Sequence, residues 1–177
     1  MRKLRNEELD RLSTEQIKNV DKNPFVIVLD NIRSMHNVGS AFRTADAFLC
    51  EKIMLCGITA TPPHREIHKT ALGATDSVRW EYRKETADAI SELKGQGYQI
   101  LSVEQTEGAI MLDQVRVSKD QKYALVFGHE IRGVEQGVVD ISDICIEIPQ
   151  YGTKHSLNIS VAAGIVIWEM FRGLQGV

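Results

Sequence analysis

The chain has 177 residues, of which 43% are hydrophobic, and carries a net charge of −3. A chain of this length buries roughly 70% of its unfolded surface in one domain, so it needs no disulfides or structural metal. The charge excludes a uniformly basic surface, although local basic clusters can still bind nucleic acid. No apolar run approaches the roughly 18 residues of a membrane span, and the amino terminus has no apolar signal segment. We therefore expect a cytoplasmic protein without membrane contact.

The cysteines and histidines offer no convincing metal or redox site. Cys50, Cys56 and Cys145 lie in apolar surroundings without C-x-x-C spacing, which favours reduced thiols in the core over a catalytic cysteine. His64 and His68 have a four-residue spacing that would suit a metal on a helix, but the sequence suggests no third ligand. We therefore expect no metal.

The predicted elements alternate between helices and strands. The charged segment Asn6 to Val20 predicts a helix, so residues 1–22 form a helical extension before a domain at 23–177. Strands are predicted at Phe25 to Leu29, Lys52 to Cys56, Ser77 to Tyr82, Tyr98 to Val103, Tyr123 to Phe127 and Ile144 to Ile148. Helices are predicted at Val38 to Phe48, Ile67 to Leu72, Thr86 to Leu93 and from Ile159 onwards. The order predicts an α/β domain with a mainly parallel sheet of about six strands and helices on both faces.

The segment Ile148 to Met170 joins a polar loop to an unusually apolar helix. Ser156 or Asn158 could cap that helix. From Ile159 to Trp168 the only polar side chain is Ser160, so the helix has no face suited to water. We expect a core or an interface to cover it.

Three polar loops of unusual composition follow predicted strands. They begin at Asp30, Gly128 and Pro149, after the first, fifth and last strands. In parallel sheets, ligands bind beyond the carboxyl ends of the strands. The three loops therefore predict a ligand site.

These loops carry sequence motifs that resemble a known family. The segments NIRSMHNVGSAFRTADA (Asn31 to Ala47), LVFGHEIRGV (Leu125 to Val134) and IPQYGTKHSLNISVAA (Ile148 to Ala163) are similar, in order and spacing, to the three motifs of the SpoU, or TrmH, family of RNA ribose 2′-O-methyltransferases in the SPOUT superfamily. The resemblance covers nearly the whole chain. It implies S-adenosylmethionine as the methyl donor, tRNA or rRNA as the substrate, a homodimer, and a deep trefoil knot at the carboxyl end.

The resemblance also implies which residues line the donor pocket. These are Ser102, Val103, Gly128, Ile148 and Leu157. Gly128 is expected to leave room for close backbone approach, and the aliphatic residues to supply apolar walls. The ordinary alternatives are a strand-to-loop turn for the glycine and core packing for the aliphatic side chains.

By the same resemblance, catalysis falls to Arg43, Asn37, Glu130, Ser156 and Asn158. In the family the arginine is held to be essential and lies near the donor pocket of the partner subunit. A guanidinium is a poor proton acceptor, so we favour a bidentate clamp on an RNA phosphate over a role as base. Asn37 is expected to fix Arg43 or a neighbouring loop, and Glu130 to hold the arginine-bearing helix or the RNA ribose. For Ser156 and Asn158, expected to meet donor and substrate, the alternative is a local cap or Asx turn.

Two other functional interpretations stay open. A Rossmann or P-loop nucleotide-binding protein is disfavoured, because the chain lacks G-x-G-x-x-G after the first strand and any G-K-[ST] loop. A non-catalytic RNA-binding or assembly module with the same fold is the stronger alternative. Whether the chain is a methyltransferase or a non-catalytic RNA-binding module, we expect three parts to recognise the RNA: the amino-terminal segment, the loop from Pro62 to Lys69 and the dimer surface.

Overall fold

A seven-stranded sheet forms the centre of this computed structural model, which describes residues 1–176 apart from the side chains of Asn6 and Lys18. The strands are β1 (Asn23–Asp30), β2 (Cys50–Cys56), β3 (Arg79–Arg83), β4 (Tyr98–Val103), β5 (Ile110–Met111), β6 (Lys122–Phe127) and β7 (Ile144–Glu147). Their order in the sheet is β3-β2-β1-β6-β4-β7-β5, and neighbouring strands are parallel. The predicted parallel α/β architecture is confirmed, with the two-residue β5 added to the six expected strands.

Helices connect the strands. They are α1 (Gln16–Asn19), α2 (Met35–Ala47), α3 (Arg65–Ala71), α4 (Ala74–Ser77), α5 (Thr86–Gly95), α6 (Gln136–Asp140) and α7 (Ile159–Gln175), with 3₁₀ turns at Asn6–Glu8 and Leu112–Gln114. The short helices α4 and α6 were not predicted, because four or five residues are too few to establish a helical period. In the described chain, none of the helices combines the length and apolar character needed to cross a bilayer.

The continuous helix predicted from Asn6 to Val20 is wrong. Only the 3₁₀ turn and the four-residue α1 form in this segment. Leu9 and Leu12 of the expected apolar stripe stay exposed, at 38% and 48% of their surface. A short helix needs tertiary packing for stability, and this stripe packs too little of its surface to provide it. The proposed boundary between residues 22 and 23 stays a prediction, and the last residue of the domain, Val177, lies outside the described residues.

Both faces of the sheet are buried. Along β1 the side chains alternate, with Phe25, Ile27 and Leu29 in one core and Val26 and Val28 in the other. The first core lies under α2, α3 and α7, and the second under α5 and α6. This double burial explains why the strands read as continuous apolar runs in the sequence.

Two cysteines are core residues, as predicted. Cys50 and Cys56 are buried, and burial raises the pKa of each thiol to about 12. Cys145 is only half-buried. A thiol with so high a pKa holds its proton at neutral pH, so Cys50 and Cys56 are poor nucleophiles.

The sheet order brings the polar loops together. Strands β1, β6, β4 and β7 are consecutive neighbours, so their carboxyl ends open on the same edge of the sheet. The loops after the first, fifth and last predicted strands therefore lie side by side at this edge, together with the end of β4. The trefoil knot stays a prediction.

The last helix is covered on one side only. Ala163, Val166 and Ile167 of α7 are buried in the core. Val161 and Trp168, however, each expose 50% of their surface. An apolar face of α7 thus remains uncovered in the single chain.

Candidate active site

A cavity of about 450 Å³ lies where the loops after β4, β6 and β7 meet the first turn of α7. Seven of the ten residues predicted for the site line it, namely Val103, Gly128, Glu130, Ile148, Ser156, Leu157 and Asn158. The three others, Arg43, Asn37 and Ser102, do not line it. Most of the predicted pocket and catalytic residues therefore share one space, although they come from three separated parts of the chain.

The loop after β6 is a tight hairpin that forms one wall of the cavity. The amide of His129 donates to the carbonyl of Gly133 at 2.9 Å, and the amide of Gly133 donates back at 2.8 Å. Within the hairpin, the amide of Ile131 donates to Nδ1 of His129 at 3.0 Å. The His129 ring therefore serves as an internal support, and Ile131 at the tip is 80% exposed.

Gly128 and Gly133 must be glycines because other atoms of the chain leave no room for a side chain at either position. A Cβ at Gly128 would lie 2.1 Å from the backbone of Gly133 and of Val134. Gly133 adopts φ +69°, and a Cβ there would lie 2.0 Å from Oε2 of Glu104. The close backbone approach expected at Gly128 is therefore made by the hairpin's own returning strand, and Gly128 also lines the cavity.

Glu104 ties the end of β4 to the hairpin and was not predicted. Its carboxylate accepts the amide of Val134 at 2.8 Å and the amide of Gln105 at 2.9 Å. Glu104 also lines the cavity. The signal in the sequence was its place directly after the predicted Ser102-Val103 pair, at the carboxyl end of a buried strand.

Glu130 connects the cavity to the start of α2. Its Oε1 accepts hydrogen bonds from the amide of Ser34 at 2.9 Å and from Nδ2 of Asn37 at 3.0 Å. Its Oε2 accepts the amide of Arg33 at 3.1 Å. Glu130 was expected to hold either the arginine-bearing helix or the RNA ribose, and these hydrogen bonds join it to the start of that helix, α2. Asn37 likewise fixes a neighbouring loop through its side-chain amide.

The surroundings of Glu130 favour its charged form. Partial burial alone would raise the pKa of this carboxyl, but the hydrogen bonds from Ser34, Arg33 and Asn37 lower the pKa below its usual range. The site is also the amino-terminal end of α2, where exposed N–H groups favour a negative charge. Glu130 is therefore a carboxylate acceptor at neutral pH, not an acid.

Arg43 is exposed on α2 and does not line the cavity of its own chain. The spacing of His36, Ser40 and Arg43 puts them along one solvent-facing stripe. The side chain of Arg43 has no hydrogen bond or ion pair with any described residue. Its guanidinium is therefore open to an external ligand.

Three other predicted residues have local environments that constrain their roles. Ser102 is fully buried, and its hydroxyl lies 2.7 Å from that of Ser142. Asn158 is the N-cap of α7, and its side-chain oxygen accepts the amide of Ser160 at 2.9 Å. Ser156 is exposed at the cavity wall. The cap interpretation is thus confirmed for Asn158, whereas Ser102 is buried beside Ser142 and does not line the cavity as expected.

The part of the chain that the structure describes offers no metal centre. Among the described residues, no three His, Cys, Asp or Glu side chains are grouped to hold an ion. His64 instead caps α3, since its Nδ1 accepts the amide of Glu66 at 3.2 Å.

Comparison with known proteins identifies the family. Residues 24–168 match the model of the SpoU rRNA Methylase family, so the chain belongs to that family and the resemblance of its motifs is confirmed. The chain is 33% identical over 147 residues to a protein of Staphylococcus aureus named as a TrmH family tRNA/rRNA methyltransferase, a match that covers 83% of this chain and 58% of the relative. It is equally 33% identical over 147 residues to the 23S rRNA (guanosine-2'-O-)-methyltransferase RlmB of Nitrosomonas europaea, covering 83% and 55%.

Solved structures share the fold. An AdoMet-bound rRNA methyltransferase from Sinorhizobium meliloti matches with a TM-score of 0.80 and 26% identity, over 89% of this chain and 60% of that one. The A. aeolicus TrmH/SpoU tRNA modifying enzyme matches with a TM-score of 0.78 and 27% identity, over 90% and 79%. The chain spans less than two thirds of the length of the curated relatives named above.

Proposed function

We propose that this chain transfers a methyl group from S-adenosylmethionine to a ribose 2′-hydroxyl of tRNA or rRNA. The observation that carries the proposal is the cavity lined by the second and third family motifs, to which Glu130 ties the start of the first motif. Support comes from the relatives, which are named as tRNA/rRNA and 23S rRNA 2'-O-methyltransferases, and from the AdoMet-bound rRNA methyltransferase of similar fold.

The cavity suits the donor in size and chemistry. Its 450 Å³ falls within the range of roughly 300–1,000 Å³ typical of ligand pockets. Val103, Ile148 and Leu157 offer apolar walls for an adenine ring, and Glu147 adds a half-buried carboxylate that has no hydrogen bond to any described residue. When bound, S-adenosylmethionine supplies an electrophilic methyl group on a positively charged sulfonium. The Glu147 carboxylate would favour that charge in the cavity.

Arg43 would bind the RNA as a phosphate clamp. Its planar guanidinium carries five N–H donors that match a phosphate bidentately. Glu130 and Asn37 hold the first turn of α2, so the helix carrying Arg43 is fixed relative to the cavity. The clamp would orient the 2′-hydroxyl for in-line attack, and its proton would pass to the phosphate or to water.

We further propose that two copies of the chain form the complete site. Arg43 lies outside its own cavity, so the arginine of one copy would serve the cavity of the other. The exposed apolar face of α7, which contains Val161, Ile165 and Trp168 at helical spacing, would supply the contact between copies.

The donor and the reaction are tested separately. Calorimetry with S-adenosylmethionine tests donor binding, and tritiated methyl incorporation into RNA from a strain lacking the gene tests transfer. Incorporation in the ribose, shown by resistance of the adjacent phosphodiester to alkali, is the expected result. Donor binding without incorporation would favour the non-catalytic module, and absence of donor binding would contradict the proposal. Mapping ribose methylation with and without the gene would identify the RNA.

The clamp is tested by Arg43→Lys. Lysine keeps the charge but loses bidentate geometry, so turnover should fall at least ~10-fold while donor affinity is retained. Arg79→Lys is the matched control, because Arg79 is also exposed but lies on the far edge strand β3. Near-normal turnover of Arg43→Lys would refute the clamp.

A further inference from the structure

A second cavity lies apart from the candidate active site, between α3, α4 and the start of β3. It encloses about 200 Å³, and its walls include Pro62, Pro63, His68, Asp76 and Trp80. We propose that this cavity binds a single unpaired nucleobase of the RNA, and that it favours guanine. The proposal rests on the proposed function for its choice of an RNA ligand, and it assigns the cavity to recognition and not to catalysis.

The size of the cavity points to one ring system. Pockets for drug-sized ligands enclose roughly 300–1,000 Å³, so 200 Å³ is too small for a complete nucleotide or for the methyl donor. A flat heterocycle that projects from a longer chain fits this volume. The ribose and phosphate of the same nucleotide would stay outside, on the protein surface.

The walls are suited to a flat aromatic ligand. Trp80 is half-buried and packs against the core with part of its indole, which limits its rotation. The rings of Pro62 and Pro63 also line the cavity. Proteins that recognise single-stranded RNA commonly stack splayed bases on such aromatic surfaces.

Three polar side chains of this cavity have no partner among the described residues, whereas His64 is engaged in capping α3. The side chains of His68, Thr75 and Asp76 line it and make no hydrogen bond or ion pair with any described residue. An ionised carboxylate only accepts hydrogen bonds, so Asp76 selects a base with N–H groups on its pairing edge. Guanine presents two adjacent donors there, which a carboxylate can bind bidentately, whereas uracil presents one.

The cavity lies next to the helix that carries Arg43. Helices α2 and α3 are in close contact at Gly39, where a Cβ would lie 2.3 Å from the carbonyl oxygen of Ile67. Across the same contact, the hydroxyl of Thr70 donates to the carbonyl of His36 at 2.9 Å. An RNA strand held by Arg43 would therefore cross α3 before one of its bases reached the cavity.

Two cationic side chains of α3, Lys69 and Arg65, lie near this contact, and the first of them is paired with a carboxylate. Lys69 is exposed and pairs with Glu66 at 2.7 Å, and Glu66 also lies 3.0 Å from His36. Arg65 is exposed and has no ion pair with any described residue. Arg65 is therefore available to a phosphate beside the cavity.

Base preference in RNA binding tests the proposal. The probes are fluorescently labelled nonamers of uridine, one unaltered and one with a single central guanosine, and the measurement is anisotropy at fixed salt. The full chain should bind the guanosine probe about five-fold or more tightly, as expected for one bidentate base contact. Asp76→Asn, which replaces one acceptor oxygen by an amide, should abolish the preference.

The matched control is Asp88→Asn. Asp88 is an exposed carboxylate in the first turn of α5, on the opposite face of the sheet, and the substitution changes the net charge by the same amount. It should leave the preference intact. Equal binding of both probes by the unaltered chain, or equal loss in the two variants, would overturn the proposal.

Crosslinking locates the base independently. A probe with 6-thioguanosine at the central position should crosslink to a peptide containing Trp80 or His68, and a crosslink confined to other peptides would overturn the assignment. Donor binding and methyl transfer are measured on the same preparations. If methyl transfer proceeds without base preference, only this inference fails, whereas base preference without donor binding would contradict the proposed function alone.

Discussion

Replacing Glu130 by glutamine tests whether its carboxylate holds the start of α2. In the native chain the two oxygens accept three hydrogen bonds, from the amides of Ser34 and Arg33 and from the side chain of Asn37. Glutamine can keep the two bonds at one oxygen, but its NH₂ group would face the Arg33 amide, and two donors cannot pair. Hydrogen bonds to a charged group contribute about 1.5–3 kcal/mol each. Because Glu130 is half-buried, we expect Glu130→Gln to lower the free energy of unfolding by about 2 kcal/mol at pH 7.

The pH dependence gives this prediction a second signature. The pKa of Glu130 is lowered in the folded chain, so its stabilising effect is fully present above the unfolded value of about 4.3. The effect is lost as the pH falls through the lower folded pKa. The difference in stability between the native chain and Glu130→Gln should therefore be constant from about pH 7 to pH 5 and shrink below about pH 4.

Urea unfolding at fixed protein concentration measures both effects. The control is Glu107→Gln, because Glu107 is exposed and makes no hydrogen bond or ion pair with any described residue. The control should stay within about 0.5 kcal/mol of the native chain at every pH. If Glu130→Gln were equally silent at pH 7, Glu130 would not hold α2 in the way that its contacts indicate.

Three further predictions concern the hairpin, the exposed helix and the thiols. Gly128→Ala puts a methyl group 2.1 Å from backbone and should lower the melting temperature and abolish donor binding by calorimetry, whereas Gly137→Ala, in open space, should do neither. Val161→Glu puts a charge on a half-exposed apolar face and should shift sedimentation from dimer to monomer, so an unchanged profile would exclude this face as the contact. Cys50 and Cys56 should resist Ellman's reagent at pH 8 until the chain is unfolded in urea, because burial raises their pKa values to about 12, and rapid reaction of the native protein would contradict that burial.

The sheet could be predicted from the sequence because its strands are apolar on both faces. The bounds of β4 were predicted correctly, and those of β6 to within one residue. The start of α2 was missed by three residues. Ser34 caps this helix locally, but Glu130 binds its first turn from a position 96 residues along the chain. Local propensity cannot reveal a contact of that separation.

The candidate site shows a similar division. The motifs located its loops correctly, because polar residues after buried parallel strands must meet at one edge of the sheet. They did not show that Glu104 fastens the hairpin, or that the backbone which closely approaches Gly128 is that of the hairpin itself. The prediction of an amino-terminal helix was wrong for the opposite reason. The local sequence pattern was helical, but most of the apolar stripe has little surface to pack against.

Helix α7 contributes to two surfaces at once. Ile159 and Ala162 in its first turn line the cavity, while Val161 and Trp168 are exposed a few residues away. Ordering the helix by contact with a second copy would therefore also order the wall of the cavity. By thermodynamic linkage, self-association and donor affinity must then reinforce each other equally. Titrations performed well below the dimer dissociation constant should accordingly report weaker donor binding than those performed above it.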